Sequence, residues 1–583
     1  MKRFTALLMS LCLLLGILSG CGSGASSASN AAPASESSAQ ESAKAAPSAA
    51  PAPASDTADS AQEQEASIQE ETAIEEYVRP AAVLPLVDET ATLSAWLPFT
   101  DIAGLISDVS QHLFFTEMEK RTGVHLDIVQ VSTWVATEQF NLMVASETYY
   151  DLISSAVNYY GSGQQAIEDD VLISLNPYME DCAPNYTAIM NSDPSVYPQC
   201  VDDEGNIAAF YQFKDKYIES NGFAIRQDWL DALGLEIPKT IDETAQVLEA
   251  IKGSYDCAAP IFVGSNGVAS QTGLICAFGV PGYTDDDPDS HLFQIDGKVT
   301  SSLLTDAYKD YITMMADWYQ RGLIDKDFTS MTSANINGAE PTMFASGNIG
   351  MLYCSPRQLD QYPSATGDDC DLEPMAHPVL KEGDVIHIGY DDSLVQTAKS
   401  MSISTSCADP ELAVRWMDTW YTEDIYALMN YGIEGESYVK NDDGTYSFTD
   451  AIVNAPEGWS QAVRMTAISD AFIGIYCTSS TKQMWSDLGV KAREVWGQEG
   501  TPSDGAYNLP TSMSLTADEM ERFSLLSSDI NTMISENIVR FIDGTRPLSE
   551  WDSFVDQLKG MGIEECCDIY QGALDRYYER TAA

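Results

Sequence analysis

Residues 91–154 constrain the fold more than any other stretch of this chain. Ala91 to Leu97 reads as a strand that stops at Pro98. Ile106 to Arg121 reads as a helix, with Gly123 just past its end. Val124 to Val131 reads as a second strand, Trp134 to Ser146 as a second helix, and Tyr150 to Ser154 as a third strand. Strand, helix, strand, helix, strand is the alternation of a parallel, doubly wound sheet, so the fold class expected is α/β.

A second unit begins at Gly222. Phe223-Ala224-Ile225 is strand-like, and Gln227 to Leu233 is a short helix stopped by Gly234. Thr240 and Glu243 have the spacing of a capping box, and Ala245, Leu248 and Ile251 give the helix behind it one apolar face ending at Gly253. Asp409 caps a helix whose first residue is Pro410. Ala413, Trp416, Met417 and Trp420 follow there at helical spacing. Trp551, Phe554, Val555 and Leu558 repeat it before Gly560, and Ile563, Cys567, Tyr570, Leu574 and Tyr577 repeat it again.

Net charge is −58 over 583 residues. That excess of acid argues against nucleic acid and anionic membrane surfaces, which are recognised through basic patches. Beyond position 21 no run of apolar residues is long enough to span a bilayer. Ten of the twelve cysteines lie in the body of the chain, with no C-x-x-C pair and no dense framework, so their spacing selects no disulfide pairing. Adjacent Cys566 and Cys567 make a mutual bond strained.

The N-terminus has its own logic. Lys2 and Arg3 precede a short apolar run from Ala6 to Leu18, the layout of a secretory signal. Leu18-Ser19-Gly20-Cys21 resembles the lipobox of bacterial lipoproteins. That resemblance implies cleavage after residue 20 and a lipid on Cys21, whose two acyl chains suffice for stable anchoring. Residues 22 to about 90 are rich in Ala, Ser, Pro, Gln and Glu and read as a disordered tether. As a random coil it would span roughly 45 Å.

Five segments together resemble the extracellular solute-binding proteins of bacterial ABC importers, family 1, the carbohydrate-type binders, and within it the long Gram-positive lipoproteins. They are Asn141 to Ser146 followed by Asp151-Leu152-Ile153; Arg226 to Leu230 followed by Leu233-Gly234 and Pro238; Phe344 to Met351; Pro410 to Tyr421 followed by Asn430 to Gly435; and Gln571 to Tyr577. One departure is Glu147-Thr148-Tyr149-Tyr150, where the family commonly has Gly and Pro. The resemblance implies a two-lobed periplasmic-binding-protein-like fold (type II), with a hinge and a ligand cleft between the lobes. One lobe would hold about 91–220 and 396–440, the other 221–395 and 441–583. It also implies membrane permease subunits as partners, a monomer on the extracellular face of the membrane, a sugar or oligosaccharide as solute, and no cofactor.

Ligands of open α/β sheets bind outside the carboxyl ends of strands, and sugars need flat aromatic faces beside fixed polar groups. Those two rules select Trp96 and Asp101 around the first strand, Trp134 after the second, and Tyr159 and Tyr160 beyond the third. Phe210 and Tyr211 precede the first expected crossing between lobes, and Arg226 follows the next strand, placed either to fork onto a solute or to pair with Asp228. Ser355 and Arg357 follow the strand Ile349 to Tyr353; Tyr390 and Asp391 precede the second crossing, with Glu434 and Glu436 near a third. The rival readings are a surface glycoside-acting enzyme and a non-transport solute sensor. Asp391 and Asp392 are adjacent, a poor arrangement for the facing carboxylates of a glycosidase. No nucleophile-elbow, zinc-protease or P-loop motif occurs, so no catalytic residue is expected. Asp285, Asp286, Asp287 and Asp289 lack the glycine and closing glutamate of a calcium loop and read as a solvated turn, so no metal is expected either.

Overall fold

The computed structural model describes residues 78–581, apart from 101–104, 215–220, 264–271, 282–290, 332–335, 357, 360–361, 363–369, 388–393, 457, 469–471 and 498–504. Cys21, Asp101, Arg357, Tyr390, Asp391 and the 285–289 acids therefore lie outside the described residues.

The opening alternation is present. Strand β1 (Ala91–Pro98) lies between β2 (Val124–Val131) and β3 (Leu152–Ser154), parallel to both. The intervening helices are shorter than their sequence pattern. The first runs Leu113–Thr122, because Asp108 caps a separate 3-10 turn at Val109–Gln111 and the His112 ring then accepts from the Phe114 N–H. Gly123 closes it at a positive φ of 78°. The second runs Ala136–Ser146 behind a 3-10 turn at Thr133–Val135. Glu147 ends it at φ 52°, a left-handed position held without glycine.

Strand β4 (Phe210–Lys214) closes the first segment of this lobe, and β5 (Gly222–Arg226) opens the next. Strands β6 (Ala259–Ile261), β7 (Leu292–Ile295), β8 (Lys298–Ser301), β9 (Ile349–Cys354) and β10 (Leu372–Met375) follow. Then come β11 (Val395–Ile403), β12 (Tyr438–Lys440), β13 (Tyr446–Phe448) and β14 (Gly474–Tyr476). Two larger sheets result. The first has the order β14-β4-β11-β3-β1-β2, and the second β10-β5-β9-β6. In the first, only β11 runs against its neighbours; in the second, only β5 does.

Each sheet is buried on both faces, as a doubly wound sheet must be. Leu93, Ala95 and Leu97 of β1 point into one core with Phe114, Trp416, Trp420 and Tyr421. Phe114 and Trp420 are both fully buried, their ring centroids 4.5 Å apart. Trp96, on the alternate side, enters a smaller core with Phe140 and Met143. In the second sheet Phe223 and Ile225 face the long helices Asp306–Arg321 and Ala517–Asp543, and Ala224 faces Phe344 and Trp496. The Thr240–Glu243 capping box is formed, and a second one, Thr516–Glu519, starts the 27-residue helix. The helices at Ile241–Ser254 and Trp551–Met561 each run a residue past the glycine expected to end them.

Two boundaries differ from the sequence reading. Residues 441–477 were expected in the second lobe, but Tyr446, Phe448, Ala462, Ile473 and Ile475 pack in the first core, and β14 pairs with β4. The third crossing therefore lies at Cys477–Ser486, around the short helix Thr478–Lys482, and leads to the helix Asp487–Trp496 on the second sheet. The tether was expected to reach about residue 90, yet 79–90 are a strap docked on the first lobe. Arg79 pairs with Glu423 at 3.0 Å and its guanidinium lies 3.8 Å from the Tyr426 ring centroid. The Glu423 N–H donates to the Pro80 carbonyl, the Ala82 N–H to Asp424, and the Leu86 N–H to the Thr122 carbonyl. Leu86 and Val87 pack on the core. Their apolar burial supplies what the upstream Ala/Ser/Pro composition lacks.

All ten body cysteines are free thiols. Among the described residues no helix is long and apolar enough to cross a membrane.

Candidate functional site

The topology fixes where the two sheets meet. Strands β1, β2, β3, β4 and β14 end at one edge of the first sheet, and β11 starts there. Strands β6, β9 and β10 end at one edge of the second, and β5 starts there. Two crossings join these carboxyl edges, Lys214 to Gly222 and the segment between β10 and β11, and the third leaves the first sheet's carboxyl edge after Tyr476 and leads to the helix Asp487–Trp496, whose last residue meets Gly222. A solute held between them meets loops rather than closed sheet faces.

On the first lobe the edge is built by local chemistry. The Thr133 N–H and hydroxyl bond the Thr100 hydroxyl at 3.0 and 3.1 Å, and Ser132 lies 3.2 Å from the same oxygen. This hydroxyl cluster pins the turn that carries Trp134. Trp134 is 79% exposed, and with Val135, Thr137, Glu138, Asn141 and Leu142 it lines a concavity of ≈ 540 Å³. Beyond β3, Ser155 adopts φ 57° and starts the short helix Ala156–Tyr160. Tyr159 and Tyr160 are half-buried there. The Tyr160 hydroxyl donates to Asp169 at 2.7 Å, and burial followed by that bond holds it above the usual phenol range. Burial likewise raises the Tyr159 hydroxyl.

Several expected contacts take other roles. Trp96 is 3% exposed, with Phe140 and Tyr159 rings at 6.0 and 5.7 Å. It is a core residue, because its place in the strand alternation turns it under the second helix. Arg226 is spent on Asp228, with bonds of 2.8 and 2.5 Å, and stacks on Trp229. It also sits at the wrong edge: β5 runs against β9, with Gly222 opposite Cys354, so Arg226 lies at the amino end of β9. Ser355 does lie at the carboxyl edge, where its N–H and hydroxyl bond Gln358 at 2.9 and 3.1 Å. Tyr211 is half-buried on β4, with its carbonyl accepting from Tyr421 at 2.6 Å. Burial raises its hydroxyl, with Cys200 and Asp202 adding to the shift and Arg580 opposing it.

The sequence reading passed over two features. Trp485 lies on the third crossing, half-buried, with the Arg493 guanidinium 3.2 Å from its ring centroid. Placing that crossing near residue 440 hid it. The second is an ionic cluster spanning the lobes. Asp203, in a loop of the first lobe, receives Arg576 at 2.9 Å and Arg580 at 2.7 Å from the C-terminal helix Ile563–Thr581 of the second. Arg576 also holds Glu519 at 2.6 Å, and Arg580 donates to the Ser512 carbonyl at 2.8 Å.

Desolvation pushes buried His377 and half-buried His291 down to about 4, which keeps both rings neutral near pH 7. Among the described residues no group of three His, Cys, Asp or Glu is placed to hold a metal ion.

Two α/β lobes joined by three crossings define the class of two-lobed solute-binding proteins. The chain belongs to the bacterial extracellular solute-binding protein family, whose model matches residues 114–433, and it is a binding protein rather than an enzyme. It is similar to the fructooligosaccharide ABC transporter substrate-binding protein FusA of Streptococcus pneumoniae serotype 4, 24% identical over 496 residues, which are 81% of this chain and 88% of FusA. Two Bacillus subtilis proteins are also similar. The polygalacturonan/rhamnogalacturonan-binding protein YtcQ is 24% identical over 78% of this chain and 87% of its own length. Lipoprotein LipO is 23% identical over 56% of this chain and 64% of its own. The fold matches a solved extracellular solute-binding protein from Bifidobacterium longum subsp. infantis with a TM-score of 0.70, at 18% identity, covering 84% of this chain and 99% of that one.

Proposed function

We propose that this chain is the lipid-anchored receptor of an ABC importer, capturing a neutral oligosaccharide between its lobes and delivering it to the membrane permease. The observation that carries the solute class is the similarity to FusA over most of both chains, joined to a solvent-facing tryptophan beside unpaired polar groups at the carboxyl edge. A net charge of −58 favours a neutral sugar over an acidic one, since an anionic chain would approach against the field of the whole protein. Of the residues named from sequence, Trp134, Tyr159, Tyr160 and Ser355 keep a place near the cleft edge in this proposal, Tyr211 lies further back on β4, and Asp101, Arg357, Tyr390 and Asp391 stay candidates from the sequence alone. The Leu18–Cys21 motif and the similarity to a lipoprotein support anchoring at the outer face of the membrane through Cys21. Differential affinity for open and closed lobes drives the closure that a permease reads.

A thermal-shift screen of the intact chain against neutral oligosaccharides, uronic-acid oligosaccharides, amino acids and short peptides tests the reading. A true ligand at a hundred times its dissociation constant stabilises the protein by about 2.7 kcal/mol. A shift with an unconsumed neutral oligosaccharide is the expected result. A shift only with peptides or amino acids overturns the solute class, and breakdown of the sugar overturns the receptor reading.

A further inference from the structure

The chain has ten tryptophans; seven are buried, two are half-buried, and Trp134 alone is exposed. An indole held in water is a surface awaiting an apolar face. Trp134 makes no ring contact, and the side chains of Thr137, Glu138 and Asn141 have no hydrogen-bond partner among the described residues. The opposite side of the same helix, Ala136, Phe140 and Met143, is buried, so these four groups share one solvent-facing side at helical spacing. The turn that carries the indole is pinned by the Thr100, Ser132 and Thr133 hydroxyls, so the platform is preorganised.

Its place in the sheet gives it a particular task. The crossings leave from β4, β11 and β14, whereas Trp134 follows β2, the opposite outer strand. From β4 to β2 is four strand steps, about 19 Å at ~4.8 Å per step. A solute that starts at the hinge and reaches the indole is longer than a single sugar ring.

Building on the proposed function, we infer that Trp134, with Thr137, Glu138 and Asn141, forms an outer subsite that stacks a distal ring of a neutral oligosaccharide and selects for chain length. The indole covers the C–H face of the ring, and the carboxylate, amide and hydroxyl meet its edge. Solutes too short to reach β2 bind at the hinge without it.

The test is calorimetric titration of the intact protein and of its Trp134→Ala and Trp134→Phe variants with a ladder of neutral fructo-oligosaccharides of one to six units. The substitutions lie on the surface, and an unchanged melting temperature verifies the fold. The expected result is affinity that climbs with length in the wild type, and about a tenfold loss in the alanine variant, 1.4 kcal/mol, confined to the longer members. The phenylalanine variant recovers part of it. The longer members also shield the wild-type tryptophan fluorescence from acrylamide, and the Phe variant loses that shielding. If no member of the ladder binds the wild type, the neutral-oligosaccharide function itself falls and the subsite falls with it. If the ladder binds and Trp134→Ala changes no member, the subsite alone is wrong. Equal loss at every length makes Trp134 part of the central site and overturns the length selection. Unchanged binding with lost uptake in cells makes the face a permease contact and likewise overturns it.

Discussion

Replacing Asp203 with alanine removes the carboxylate that, among the described residues, joins the C-terminal helix to the first lobe. Its contacts are 2.9 Å to Arg576 and 2.7 Å to Arg580, with side-chain exposures of 18, 29 and 10% respectively. Arg576 keeps Glu519, so its loss is small. Arg580 is nearly enclosed and keeps the Ser512 carbonyl and the Tyr577 ring but no carboxylate partner among the described residues, so most of the cost falls there. A charge-assisted hydrogen bond contributes about 1.5–3 kcal/mol, and partial exposure of the carboxylate trims that toward the lower half. The expected destabilisation is about 2 kcal/mol. A double-mutant cycle with Arg580→Met in urea unfolding isolates the pair, with a coupling of about 1–2 kcal/mol that largely survives 0.5 M salt. A coupling below about 0.3 kcal/mol, or one abolished by salt, would show an ordinary exposed pair and refute the argument.

Other consequences are as direct. Glu340 is buried and bonded by the Tyr362 hydroxyl at 2.7 Å, and burial pushes its carboxyl from 4.5 up to about 7. Because the folded value is the raised one, its contribution is intact below pH 4.5 and is lost as pH climbs through 7, at most about 3 kcal/mol. Glu340→Gln should flatten the fall in melting temperature between pH 5 and 8; an unchanged slope refutes the assignment. A Cβ on Gly222 would collide with Trp496, which is fully buried and donates to the Phe223 carbonyl at 3.0 Å. Gly222→Ala should cost about 1–3 kcal/mol by denaturant titration, and a neutral result would mean that the indole has room to yield. Cys21→Ala should move the protein from the membrane fraction to the medium; retention in the membrane would discard the lipid site.

Much of this architecture was legible in the chain because it is written locally. The alternation over 91–154 gave three parallel strands, the glycines at 123 and 234 marked helix ends, and Thr240 with Glu243 made the capping box they spell. What was missed depends on distant partners. Strand direction has no signature in a five-residue strand, so nothing in Phe223-Ala224-Ile225 told which edge Arg226 would reach. Which face of β1 takes Trp96 was settled by a helix forty residues on. The three residues of β14 became a strand only beside β4, so the third crossing was placed too early and Trp485 with it. The strap at 79–90 continues a low-complexity stretch, and only the partners at Thr122, Glu423 and Tyr426 reveal it.

That strap has a mechanical consequence. It lies against the amino-terminal edge of the first sheet, where Leu86 meets Thr122 and β1 and β2 begin, whereas the lobes are joined at the carboxyl edge. Any pull arriving through the upstream chain enters at Arg79 and Glu423 and loads the first lobe from behind. The second lobe receives that load at one remove, through the crossings and through the pairs of Asp203 with Arg576 and Arg580, rather than from the strap itself.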